Sequence, residues 1–170
     1  SLGLVGSEMC IRDSYKEIAN ATDKPIILYN VPGRTSSNMS SETTLELAHS
    51  VSNIIGVKEA SGNLEQIMEI ISSKPNDFLV ISGDDALTLP HIACGGEGVI
   101  SVVANAFPKR FSSMVSYALR GEMEKARSFH YELFPIIQQL FADGNPGGIK
   151  YVLKLINIGE DYVRLPLVNI

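Results

Sequence analysis

From Tyr15 onward, short apolar runs alternate with stretches whose apolar residues recur at helical spacing. The runs are Pro25–Val31, Asn53–Lys58, Phe78–Ile81 and Gly98–Val103. Each is short, rich in β-branched residues and nearly continuous in hydrophobicity, which predicts strands buried on both faces, as in a parallel sheet. The intervening stretches carry helix start signals. Ser40 or Ser41 caps a helix through His49. Asn63 caps the next, with Gln66 at the capping-box position and Ile67, Ile70 and Ile71 on one face. Asp84 or Asp85 caps a short helix toward Cys94, and Lys109–Leu119 reads as a fourth helix. Repeated strand–helix units predict a parallel α/β architecture with right-handed crossovers.

The tail changes character. Glu122–Phe141 places Met123, Ala126, Phe129, Leu133, Phe134, Ile137 and Leu140 at helical spacing, with Pro135 as a kink. Asn145-Pro-Gly-Gly breaks the chain, and a further helix is predicted from Ile149 to about Ile156. Three segments follow: residues 1–14 as a non-native leader, 15–120 as four βα units, and 121–170 as an appended helical region. The leader, SLGLVGSEMCIRDS, has no clean period and no secretory pattern. It resembles translated adapter sequence, with a genuine, poorly ordered terminus as the plain alternative. Four βα units fit a small open sheet of flavodoxin type. They equally fit half of an eight-stranded barrel, which needs ~250 residues.

Composition narrows the class. The 170 residues are 45% hydrophobic and 19% charged, ordinary for a globular domain. A net charge of −5 without a basic run argues against nucleic acid or an anionic membrane surface as partner. No apolar run approaches the ~20 residues of a membrane helix. Cys10 and Cys94 lie far apart without metal-ligand spacing, which fits a reducing, cytoplasmic setting and no zinc site. His49, His91 and His130 have no mutual ligand spacing and read as surface or packing residues.

Chemistry in α/β folds sits after the strands. The second run ends in Gly56-Val-Lys-Glu-Ala-Ser-Gly. A lysine closing an apolar strand is either a nucleophile whose neutral amine attacks a ketone, or a side chain that snorkels or pairs with Glu59. The first run ends in Tyr29-Asn-Val-Pro-Gly-Arg-Thr. There Tyr29 could relay a proton and Arg34 clamp a carboxylate; a core tyrosine and a surface arginine are the plain alternatives. Ser82-Gly-Asp-Asp ends the third run, where Gly83 permits close backbone approach and the aspartates cap a helix. Cys94-Gly-Gly-Glu-Gly precedes the fourth run, so it reads as a tight turn rather than a phosphate loop.

Taken together and in this order, the Tyr29, Gly56 and Ser82 segments, then Gly98-Val-Ile-Ser-Val-Val-Ala-Asn, Asn145-Pro and Ile149-Lys150, resemble the dihydrodipicolinate synthase family. That resemblance runs from Tyr15 to the end and implies a (β/α)₈ barrel with C-terminal helices, these strands being the fifth to the eighth. It implies that Lys58 forms a Schiff base with pyruvate, that Tyr29 shuttles protons and that Arg34 holds the carboxylate of aspartate semialdehyde. Gly83 and the Ile100 backbone would line the pocket, with no metal or organic cofactor required. Arg34 is typical of the synthase, whereas N-acetylneuraminate lyases usually differ there. Family members are commonly homotetramers built from dimers. The first four strands would carry the pyruvate-carboxylate loop, so this chain alone is expected to be weak or inactive. The rival readings are another pyruvate-dependent aldolase, a non-catalytic scaffold, and an unrelated α/β binding domain.

Overall fold

A computed structural model describes residues 8–168. The chain divides into two compact units, Ser1–Asp84 with Ala93–Ile100, and Asp85–Ile92 with Ser101–Ile170.

The first unit holds a four-stranded parallel sheet in the order β1 (Ile26–Asn30), β2 (Ile54–Glu59), β3 (Leu79–Ser82), β4 (Gly98–Val99). Strand order follows chain order, as successive βα units require. The fold is α/β with a parallel sheet, as expected. Helices α1 (Glu8–Asn20), α3 (Ser41–Ser50) and α4 (Leu64–Ser73) belong to the same unit, with the short α2 (Pro32–Thr35) after β1. Leu28, Val57 and Val80 stand at paired positions, are fully buried, and share one core with Leu47, Ile67, Ile70 and Phe78.

Three expectations change. The strands are buried on one face, not two. Ile27 (40% exposed), Tyr29 (46%) and Leu79 (37%) point to the other face, where their side chains are exposed. The continuous apolar pattern arises because both faces of the strand are apolar, and only packing distinguishes them. The fourth strand is two residues long rather than six. Val102 and Val103 turn their N–H groups to the Asp85 carboxylate, and a 3₁₀ turn runs over Val103–Asn105. Residues 8–14 of the proposed leader are helical, while residues 1–7 lie outside the described residues. Glu8 accepts from Ser40 N and from Thr43 Oγ1, and Ile11 packs against the core. The helical period was hidden because only a narrow stripe of α1 is buried.

The starts of α3 and α4 follow their caps. Ser40 accepts from Thr43 N, and Asn63 Oδ1 accepts from Glu65 N and Gln66 N. Gln66 closes no capping box; its side-chain amide turns inward instead. The turn before β4 is structural: Glu97 N donates to Val80 O, and Glu97 Oε2 accepts from Val80 N.

The second unit contains the start of α5 (Thr88–Ala93), α6 (Pro108–Leu119), α7 (Met123–Ala142) and α8 (Gly147–Leu155). Pro135 lies inside α7. Gly148 fits against the backbone of Leu140, where any side chain would collide. Among the described residues no helix is long and apolar enough to cross a membrane.

Candidate functional site

Lys58 and Tyr29 occupy paired positions on β2 and β1. That pairing depends on an irregularity. Ile26 faces Ile54, but Ile27 faces Gly56, so β2 advances one residue past β1. With an unbroken register Tyr29 would face Val57. The slip places Tyr29 and Lys58 side by side on the open face, with Lys58 Nζ 4.0 Å from the Tyr29 ring centroid. An ammonium over an aromatic face is attracted by the ring quadrupole.

Gly83 closes the other side of the lysine. A methyl group at that position would lie 2.7 Å from Ala60 Cβ and 3.1 Å from Lys58 Cε. Gly83 is therefore required first by Ala60, with Lys58 crowded next, a packing reason beside the ligand-approach reason read from sequence. Its N–H donates to Glu59 O over 2.7 Å, continuing the β2–β3 ladder past the last strand residue. Ile100 extends β4 in the same way, its N–H donating to Ser82 O over 2.9 Å, with an exposed side chain.

Arg34 is exposed in the last turn of α2. The structure thus brings together Lys58, Tyr29 and Gly83. A cleft of about 360 Å³ adjoins Tyr29 and is lined by Tyr15, Ile18, Val31 and Met39. Tyr29 itself lines this cleft, and Lys58 does not. Among the described residues no three His, Cys, Asp or Glu side chains are grouped to hold a metal ion.

Sequence reasoning missed Glu59, considered only as a surface partner for Lys58. It is buried, on the opposite face of β2 from the lysine. Its carboxylate accepts from Asn30 Nδ2, Gln66 Nε2 and Ser61 N. The signal was the acidic residue at a strand position whose neighbours in register, Asn30 and Ser82, are also polar.

The family model described as "Dihydrodipicolinate synthetase family" matches residues 6–170. The 4-hydroxy-tetrahydrodipicolinate synthase of Flavobacterium psychrophilum is 50% identical over 160 residues, which is 94% of this chain and 55% of the relative. That of Phocaeicola vulgatus is 51% identical over 162 residues, 95% of this chain and 54% of the relative. The chain thus spans about half the length of the curated relatives it matches. Among solved structures, the dihydrodipicolinate synthase of Aquifex aeolicus superposes with a TM-score of 0.94 at 36% identity, over 96% of this chain and 56% of that one.

Proposed function

The chain belongs to the dihydrodipicolinate synthetase family, and from that premise we propose that it carries the nucleophile and proton relay of a 4-hydroxy-tetrahydrodipicolinate synthase. The observation that supports this most is the Lys58–Tyr29 contact of 4.0 Å on the open sheet face. A neutral lysine amine attacks the ketone of pyruvate, and loss of water leaves an iminium. Removal of a methyl proton gives the enamine, whose carbon bonds to the aldehyde carbon of aspartate semialdehyde. The amine of that substrate then attacks the imine carbon, which closes the ring and releases Lys58. Each step moves a proton to or from an atom close to the lysine nitrogen, and Tyr29 serves as the relay. Arg34 clamps the carboxylate of the second substrate with its planar fork. Gly83 and the Ile100 backbone line the site. The assembled enzyme is cytoplasmic and homo-oligomeric.

Borohydride reduction in the presence of pyruvate, followed by peptide mass mapping, tests the assignment. A reduced pyruvate adduct on Lys58, absent from Lys58→Arg, is expected. The experiment is run with this chain alone and with each half of the Flavobacterium relative supplied in turn. The half that restores or strengthens the adduct is the complement of this chain, which also settles its place in a barrel. A folded, complemented barrel without an adduct would end the aldolase reading. A substrate panel on the complemented barrel then separates the synthase from a neuraminate-type lyase.

A further inference from the structure

Glu59 is 1% exposed, and a buried carboxylate is expensive unless its oxygens are satisfied. Here all its partners are N–H donors. Oε1 accepts from Ser61 N at 2.7 Å and Asn30 Nδ2 at 3.2 Å, while Oε2 accepts from Asn30 Nδ2 at 3.0 Å and Gln66 Nε2 at 3.1 Å. The same amides extend the network. Asn30 Oδ1 accepts from Met39 N at 3.0 Å, Asn38 Nδ2 donates to Gln66 Oε1 at 2.9 Å, and Gln66 Nε2 also reaches Met39 O at 3.1 Å. Three pieces of chain meet at this carboxylate, the end of β1, the end of β2 and the first turn of α4, and the loop returning from α2 joins them through the Asn30 and Gln66 amides.

The position of the cluster is informative. Asn30 follows Tyr29 and Glu59 follows Lys58, and these residues pair in register. Side chains alternate along a strand. The Asn30–Glu59 clasp therefore lies on the buried face one step beyond the Tyr29–Lys58 pair on the open face. A backbone bond from Ala60 N to Asn30 O, 2.8 Å long, carries the ladder through the same point.

We propose that Glu59 is the positioning residue of this site: its buried carboxylate, accepting from Asn30, Gln66 and Ser61, locks the ends of β1 and β2 together and so fixes Lys58 against Tyr29. The loop after α2, the helix that bears Arg34, is tied to the same cluster through Met39, which bonds to Asn30 and Gln66. Glutamine cannot replace it, because one oxygen would become an NH₂ facing other N–H donors. The catalytic relevance of this clasp rests on the Schiff-base reading above, but its geometry does not, and the two are tested separately.

The first arm uses no substrate. Lysines of the intact chain are reductively methylated with ¹³C-formaldehyde, and the Lys58 methyl resonance is assigned by its absence from Lys58→Arg. In the wild type it is expected upfield, shielded by the Tyr29 ring, with Tyr29→Leu removing that shift. Glu59→Gln is expected to lose most of the shift, and Gln66→Met, which removes one donor and adds no charge, to lose part of it. The exposed Glu17→Gln serves as control. If Glu59→Gln does not fold, Gln66→Met carries the test. An unmoved Lys58 resonance in the folded variant overturns the proposal. The second arm measures borohydride trapping on the complemented barrel against pyruvate concentration. Glu59→Gln is expected to lower the limiting rate by about ten- to a hundredfold with little change in half-saturation. An unchanged limiting rate would also overturn it. Absence of any adduct in the wild type would defeat the Schiff-base reading while the first arm still decides the clasp.

Discussion

Leu28 and Tyr29 are neighbours in the chain, as are Val57 and Lys58, yet each pair is divided between two faces of one sheet with different tasks. On the helix side Leu28, Val57 and Val80 are sealed into a core. On the other side Tyr29 and Lys58 meet on a surface that also exposes Ile27 and Leu79. One face is specified by packing, where each side chain is held by many neighbours. The other is specified by register, since its key contact exists only because β2 slips one residue against β1. Glu59 joins the two. It belongs to the buried face by burial and serves the open face by position.

Substitutions divide along the same line. The largest effect is expected from Tyr29→Phe, which keeps the ring beside Lys58 and removes the hydroxyl. Pyruvate-dependent turnover of the complemented barrel should fall by about 10²–10⁴-fold, while the urea midpoint stays within error. A strong loss of stability would show that the open face is also a packed face. Leu28→Ala against Ile27→Ala measures the two faces directly. The first should cost about 2–5 kcal/mol in urea unfolding, and the second within about 0.5 kcal/mol. Equal costs would mean that Ile27 is covered in solution. Gly83→Ala bridges the faces, because its methyl would crowd both Ala60 and Lys58. A destabilisation of about 1–3 kcal/mol should come with slower adduct formation on Lys58, read by trapping and by thermal unfolding of the same sample.

The smallest effect lies outside the sheet and asks whether a buried titratable group elsewhere follows the rule of the packed face. His130 on α7 is buried beside Phe134, and desolvation lowers its pKa from the ordinary value of 6.5. The unfolded chain therefore binds the proton more readily than the folded one. Above about pH 6.5 protonation of this histidine does not enter the stability, and as pH falls below that value it destabilises the fold. His130→Phe should flatten the pH dependence of the melting temperature between neutral and mildly acid solution.

Much of this was legible in the chain. The strands after Pro25, Asn53 and Phe78 and the caps at Ser40 and Asn63 all appear where local pattern places them. So does Lys58 near the end of its strand. The fourth strand was overread because its valines looked like sheet, while Asp85, distant in sequence, takes their N–H groups. The helix at Glu8–Asn20 was underread because its contacts are to Ser40, Thr43 and Glu46, again distant.

The sequence by itself determined the succession of strands and helices, their starts, and the residue types available for chemistry, because period and capping act within a few residues. Tertiary structure alone decided which apolar side chains are core, that Tyr29 rather than Val31 or Asn30 stands beside Lys58, and that Glu59 is buried. Each of these depends on register between strands nearly thirty residues apart (Tyr29 with Lys58, Asn30 with Glu59), and a shift of one residue exchanges neighbours without altering any local pattern.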